Sequence, residues 1–110
     1  ETKTFKADTL TRCIQLVESN ISNSYYGVAQ LSEDLKISER TLYRAIKKET
    51  GLTPNQFIRE MKLSKVRQQV ELGNVTTLND LALSVGLTNG TYLNQLYKER
   101  FGTLIEFSRV

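Results

Sequence analysis

The sequence predicts an all-α fold of about seven helices, in which two short helical pairs are joined by one long helix. Three observations carry this expectation. Apolar residues recur every three to four positions along the whole chain, strand-like alternation is nearly absent, and helix start and stop residues fall in step with the helical period. A length of 110 residues suits one domain or two very small units sharing a core, and folding at that size buries roughly 60–70% of the unfolded chain's surface.

Leu10, Ile14, Val17 and Ile21 mark a first helix, and Val28, Leu31 and Leu35 a second over 28–35. Leu42, Ala45 and Ile46 mark a third over 39–50, capped at its start by Ser38 and stopped by Gly51 in a left-handed C-terminal position. Thr53, Pro54 and Gln56 then supply a capping hydroxyl, a proline at the first helical position and a capping-box partner. A fourth helix therefore starts there and runs to about Leu72, before Gly73 and Asn74. Thr77 with Asp80 opens a fifth helix, which carries Leu78, Leu81, Ala82 and Val85. A sixth, over about 90–101, carries Leu93, Leu96, Tyr97 and Phe101 and ends at Gly102. A short seventh is expected at Leu104–Phe107.

One proline, six glycines and no low-complexity stretch leave no flexible linker between the pairs. The expected organisation is a tail over residues 1–7, a first subdomain over 8–53, a linker helix over 54–72 and a second subdomain over 73–110. The chain opens with Glu1-Thr2-Lys3 rather than Met, so the tail is expected to be left from a larger protein.

Composition removes several function classes. Cys13 is the single cysteine, which excludes an internal disulfide, and the absence of histidine excludes His-based catalysis and the usual zinc sites. On its helix Cys13 suits a small half-buried side chain better than a reactive thiol. No glycine-rich phosphate loop and no catalytic constellation occur, so neither an enzyme nor a cofactor is expected. No run approaches the ~20 apolar residues needed to span a bilayer, and no membrane contact by this chain is expected. The cytoplasm is the expected location, although a longer protein containing this chain can still be membrane-anchored.

Charge is unevenly spread. Residues 36–67 hold nine basic side chains against three acidic ones, whereas the rest of the chain is net acidic. Such clustering suits a polyanion-binding surface, and a solvated helix face accounts for it equally well.

Only Lys36, Ile37 and Ser38 separate the second and third helices, and only Gly86–Asn89 the fifth and sixth. Two short helices joined this tightly describe a helix-turn-helix, whose second helix can enter the DNA major groove; an αα-hairpin without that role is the plainer alternative. What distinguishes the two is the outer face. At 100° per residue, Leu42, Ala45, Ile46 and Glu49 share the inner side of one helix and leave Arg40, Tyr43, Arg44 and Lys47 outside. In the other, Leu93, Leu96 and Tyr97 leave Thr91, Asn94, Gln95 and Lys98 outside, and the two stripes correspond at a constant offset of 51. Neither stripe contains an acid, although a merely solvated helix more often pairs Glu with Lys. Arg suits the O6 and N7 of guanine, Asn or Gln suits adenine, Tyr and Thr offer hydroxyl and carbon contact, and Lys suits phosphate. A rod of residues 54–72 is about 28 Å long, comparable to the ~34 Å between successive major grooves; its Arg59, Lys62, Lys65 and Arg67 can approach the backbone between them, and plain solvation is the commoner state of such cations on a surface helix.

The chain resembles the DNA-binding domain of the AraC/XylS family of bacterial transcription regulators from about Asp8 to Arg109. Leu42, Arg44, Lys47, Gly51, Thr53, Pro54, Phe57, Ile58 and Leu63 match in the first half. Leu81, Ala82, Gly86, Leu87, Tyr92, Leu93, Lys98, Phe101, Gly102 and Phe107 match in the second. Residues 42–63 are especially similar to effector domains at the end of hybrid two-component sensor proteins. The resemblance implies base contacts by Arg40, Tyr43 and Arg44 and by Gly90, Thr91, Asn94 and Gln95. It implies backbone contacts at Ser38, Lys47, Lys48, Thr88, Asn89 and Lys98. Implied partners are double-stranded DNA, RNA polymerase and an upstream sensory or receiver domain. Against the family pattern, Gln95 stands where Arg is usual, Ile46 and Tyr97 replace Phe, Gln69 replaces an apolar residue, and the closing stretch at 102–107 lacks one residue and a Pro. The alternative function is a helical protein-interaction module that docks on polymerase or a receiver domain.

Overall fold

The computed structural model describes residues 7–73 and 77–106, and among them it is all-helical. Six helices follow in order: α1 (Ala7–Ser19), α2 (Val28–Leu35), α3 (Glu39–Thr50), α4 (Pro54–Glu71), α5 (Leu78–Ser84) and α6 (Gly90–Phe101). The chain forms two compact units, and α4 contributes to both. Among the described residues the first holds 7–20 and 25–61, and the second holds 21–24, 62–73 and 77–106. Except for Ala7, the tail expected over residues 1–7 lies outside the described residues.

The caps form as local chemistry dictates. Ser38 Oγ accepts the Thr41 N–H at 3.0 Å, Thr77 Oγ1 accepts that of Asp80 at 3.1 Å, and Thr53 and Gln56 close a reciprocal capping box. At the other ends Gly51 and Gly102 adopt the left-handed conformation, at φ 78° and 80°, and donate to the Lys47 and Lys98 carbonyls. A Cβ would be strained there, so these glycines set where α3 and α6 stop.

The first unit is built on an apolar cluster that includes Cys13, Val17, Leu31, Leu42, Ile46 and Phe57, with Leu10, Ile14 and Met61 packed against it. Leu42 and Ile46, one turn apart on α3, are fully buried, so this helix is seated by its apolar stripe. Tyr26, at the foot of α2, is buried as well; its hydroxyl donates to Asp34 Oδ2 at 2.8 Å, and Gln30 donates to Asp34 Oδ1 at 3.1 Å. Glu49, expected on the inner side of α3, is exposed, because the buried stripe of this helix ends with Ile46.

In the second unit Leu81, Ala82, Val85, Leu93, Leu96 and Tyr97 are buried, together with Leu63 and Val66 of α4. Phe101 is half-buried, with the Tyr97 ring at 4.7 Å and the Arg67 and Arg100 guanidinium groups at 4.8 and 4.9 Å from its centre. The short seventh helix does not form over Leu104–Glu106, and Phe107 lies outside the described residues. The reason is visible in the backbone: the Ile105 N–H donates to Asn94 Oδ1 at 2.8 Å and Ile105 itself is buried, so this segment is tied to α6 rather than coiled on itself. Lys62 also departs from expectation. Instead of facing outward from α4 it is 9% exposed, with its ammonium turned into the second unit.

Candidate nucleic-acid interface

In the first pair, α2 ends at Lys36, which takes the left-handed conformation at φ 58°, and Ile37 donates back to the Ser32 carbonyl at 3.1 Å. These local bonds close the turn and let Ser38 start α3. Once Leu42 and Ile46 are committed to the core, the opposite stripe must face out. Arg40, Tyr43, Arg44 and Lys47 are all exposed, Tyr43 by 49%, and Lys48 is exposed beside them. Arg40, Tyr43 and Arg44 also line a hollow of about 560 Å³, together with the acidic Glu39 that opens α3, Val28 at the start of α2, and Thr53, Pro54 and Asn55 at the start of α4. Two positive helix ends therefore border the cationic stripe, and Gly27 leaves the α2 end without a side-chain cap.

The second pair is assembled differently. Its turn is two residues longer, with Gly86 at φ 72° and Leu87 donating to the Ala82 carbonyl at 2.9 Å before Asn89 caps α6. Thr91, Gln95 and Lys98 are exposed, as are Thr88 and Asn89 ahead of them. Two of the expected base readers are placed otherwise. Gly90 is buried: its N–H donates to Asn79 Oδ1 at 2.7 Å, and a Cβ on it would lie 2.7 Å from Leu78 Cβ. Its missing side chain serves the close approach of α6 to α5. Asn94 is half-buried with its oxygen accepting from Ile105, so its carboxamide is held by the protein's own backbone. Asn89 Oδ1 is likewise engaged, accepting the Tyr92 N–H at 2.8 Å, and Ser38 is occupied in the same way at the start of α3.

Three positions that shape this region escape reading by stripe alone. Tyr92, 40% exposed at the start of α6, adds an aromatic beside Thr91 and Gln95. Asn79 serves α6 from another helix, and no local signal announces it. Lys62 did leave a signal, because Ile58, Lys62 and Val66 recur at the i,i+4 spacing of a buried face. Among the described residues no group of Cys, Asp or Glu is placed to hold a metal ion, and no helix is long and apolar enough to cross a membrane.

Two short helical pairs, each presenting the outer stripe of its second helix, define a double helix-turn-helix protein. Residues 31–107 match the family model described as a helix-turn-helix domain. The chain belongs to this family, as an AraC-type DNA-binding domain. It is 33% identical over 95 residues to XylDLEGF operon transcriptional activator 2 of Pseudomonas putida, covering 84% of this chain and 60% of that one. It is 29% identical over 92 residues to histidine kinase P4 of Formosa agariphila, covering 84% of this chain and 7% of the kinase. The chain thus spans only part of the length of the relatives it matches. A transcriptional regulator of Chromobacterium violaceum with an AraC-type DNA-binding domain has a similar fold, with a TM-score of 0.77 at 24% identity over 86% of this chain and 83% of that one.

Proposed function

We propose that this domain binds double-stranded DNA sequence-specifically and so regulates transcription in a bacterium, with α3 and α6 entering successive major grooves. The observation that carries the proposal is the α3 stripe: Arg40, Tyr43, Arg44 and Lys47 are exposed together, without an acid among them, on a helix whose other side is locked into the core. Arg40 and Arg44 take guanine edges, Tyr43 takes carbon contact with a thymine methyl, and Lys47 and Lys48 take phosphates. On α6 the bases fall to Thr91 and Gln95, with Gln95 suited to adenine, while Lys98 and the backbone near Thr88 and Asn89 take phosphates. The 18 residues of α4 give a rod of about 27 Å, which supports spacing by roughly one DNA turn.

In this proposal the domain acts by binding and carries out no reaction. It works in the cytoplasm, where it meets DNA and RNA polymerase. Similarity to part of a histidine kinase supports a further partner, a sensory or receiver domain of a two-component system in the same protein. Selecting binding sites from random duplexes with this chain tests the proposal. The expected product is a two-part motif with guanine in one part and adenine in the other. Recovery of no enriched motif overturns it.

A further inference from the structure

Lys62 is the buried cation of the second unit. Its Nζ donates to the Ile21 carbonyl at 2.9 Å and to the Val85 carbonyl at 2.6 Å, bonds that reach 41 and 23 residues along the sequence. Val85 is the C-cap of α5, so the ammonium sits at the negative end of that helix, where a cation is favoured. The fit around it is close. A Cβ on Gly86, the next residue, would lie 2.8 Å from the Ile21 oxygen and 3.0 Å from Lys62 Nζ, so only a hydrogen fits there.

Burying an ammonium is costly, and burial lowers the Lys62 pKa from its ordinary value. Filling the same space with Met or Leu would avoid that cost. What Lys62 supplies, and an apolar side chain does not, is a directional tie between two backbone segments. One is Ile21–Ser24, the stretch between α1 and α2 that belongs to the second unit. The other is the corner of the second helix-turn-helix. Val85 and Gly86 donate back to the Ala82 and Leu83 carbonyls, and Asn89 caps α6 three residues later, so fixing the Val85 carbonyl fixes the hinge on which α6 is hung. The corner of the first pair is closed by local backbone bonds of the same kind, at Lys36 and Ile37.

We propose that Lys62 is a positioning residue for DNA recognition by α6: it holds the corner between α5 and α6 against Ile21–Ser24 and so sets how α6 meets its part of the operator. This inference rests on the function proposed above. It locates the control of second-site specificity on a side chain that touches no DNA.

The test compares wild type, Lys62→Met and Lys62→Arg on a duplex selected by the wild type and on its single-base variants. Lys62→Met is expected to weaken binding about tenfold. Base preferences beneath α6 flatten while those beneath α3 keep their order, and Lys62→Arg, which keeps charge and donors, restores discrimination beneath α6. Equal weakening at both parts, or unchanged preference beneath α6, overturns the proposal. Should Lys62→Met fail to fold, hydrogen exchange on the wild type decides. Amides of 21–24 and 85–89 gain protection on a duplex with both parts intact and not on one whose α6 part is scrambled, and equal protection on both overturns the proposal. A wild type that binds no duplex selectively refutes the proposed function itself, which keeps the two failures distinct.

Discussion

Arg44 is exposed on α3 and borders the hollow shared by the starts of α2 and α4, and under the proposed function its guanidinium meets either a base or a phosphate. If it grips guanine in two hydrogen bonds, Arg44→Ala costs about 1–3 kcal/mol and relaxes preference at one position of the motif. Affinity measurements over single-base variants check this, and uniform weakening with unchanged preference reassigns Arg44 to phosphate. Cys13 is a residue of the core. Burial pushes its thiol from 9.0 up to about 11, so the folded state keeps the proton after the unfolded chain has lost it. Stability from this source is intact below pH 9 and falls as pH rises toward 11, by about 2 kcal/mol at the upper end. Tyr26, raised above its ordinary 10.0 by burial and by its bond to Asp34, acts in the same direction from pH 10 upward. Urea melts of wild type and Cys13→Ala at pH 8 and pH 10.5 are expected to show a shallower alkaline loss in the variant, and equal losses would rule the thiol out as a source.

The elements were legible because their signals are local. Ser38, the Thr53–Gln56 box, Thr77, Gly51 and Gly102 act within four residues of themselves, and the structure starts and stops α3 to α6 at or within a residue of where they point. The closing segment after Gly102 was not legible, since its course depends on Asn94 reaching a backbone N–H eleven residues on. Gly90 shows the same limit: the family resemblance implies a base-reading role for it, and its neighbour Leu78 gives it a packing one. Gly90→Ala would set a Cβ 2.9 Å from the Leu78 carbonyl carbon, which is backbone and must shift. The gain in helix propensity, under about 1 kcal/mol, does not offset an overpacking cost of about 1–3 kcal/mol. Thermal melting is expected to fall by several degrees, and an unchanged or raised midpoint would show that α5 and α6 separate freely.

Across the whole molecule the two pairs are unequal. The first concentrates cations, with Arg40, Arg44, Lys47 and Lys48 exposed on one helix, whereas the second exposes Thr91, Gln95 and Lys98. Under the proposed function the first supplies most of the electrostatic affinity, and the second discriminates through Thr91 and Gln95. With six or so phosphate contacts, the logarithm of the binding constant falls against the logarithm of salt concentration with a slope near −5. Titrations between low and physiological salt measure that slope. A value nearer −1 removes the polyanion as main partner and favours a helical protein-interaction module.

By itself the sequence determined the helices, their caps, the two pairs and the outer stripe of α3, because apolar period and capping chemistry act over a few residues. Only tertiary structure decided which polar side chains face inward. Lys62 holds carbonyls 41 and 23 residues away, and Asn79 and Asn94 each bond a backbone N–H eleven residues away. Whether a polar group faces water or a distant backbone atom depends on which segments fold against it, and helical period alone carries no record of that.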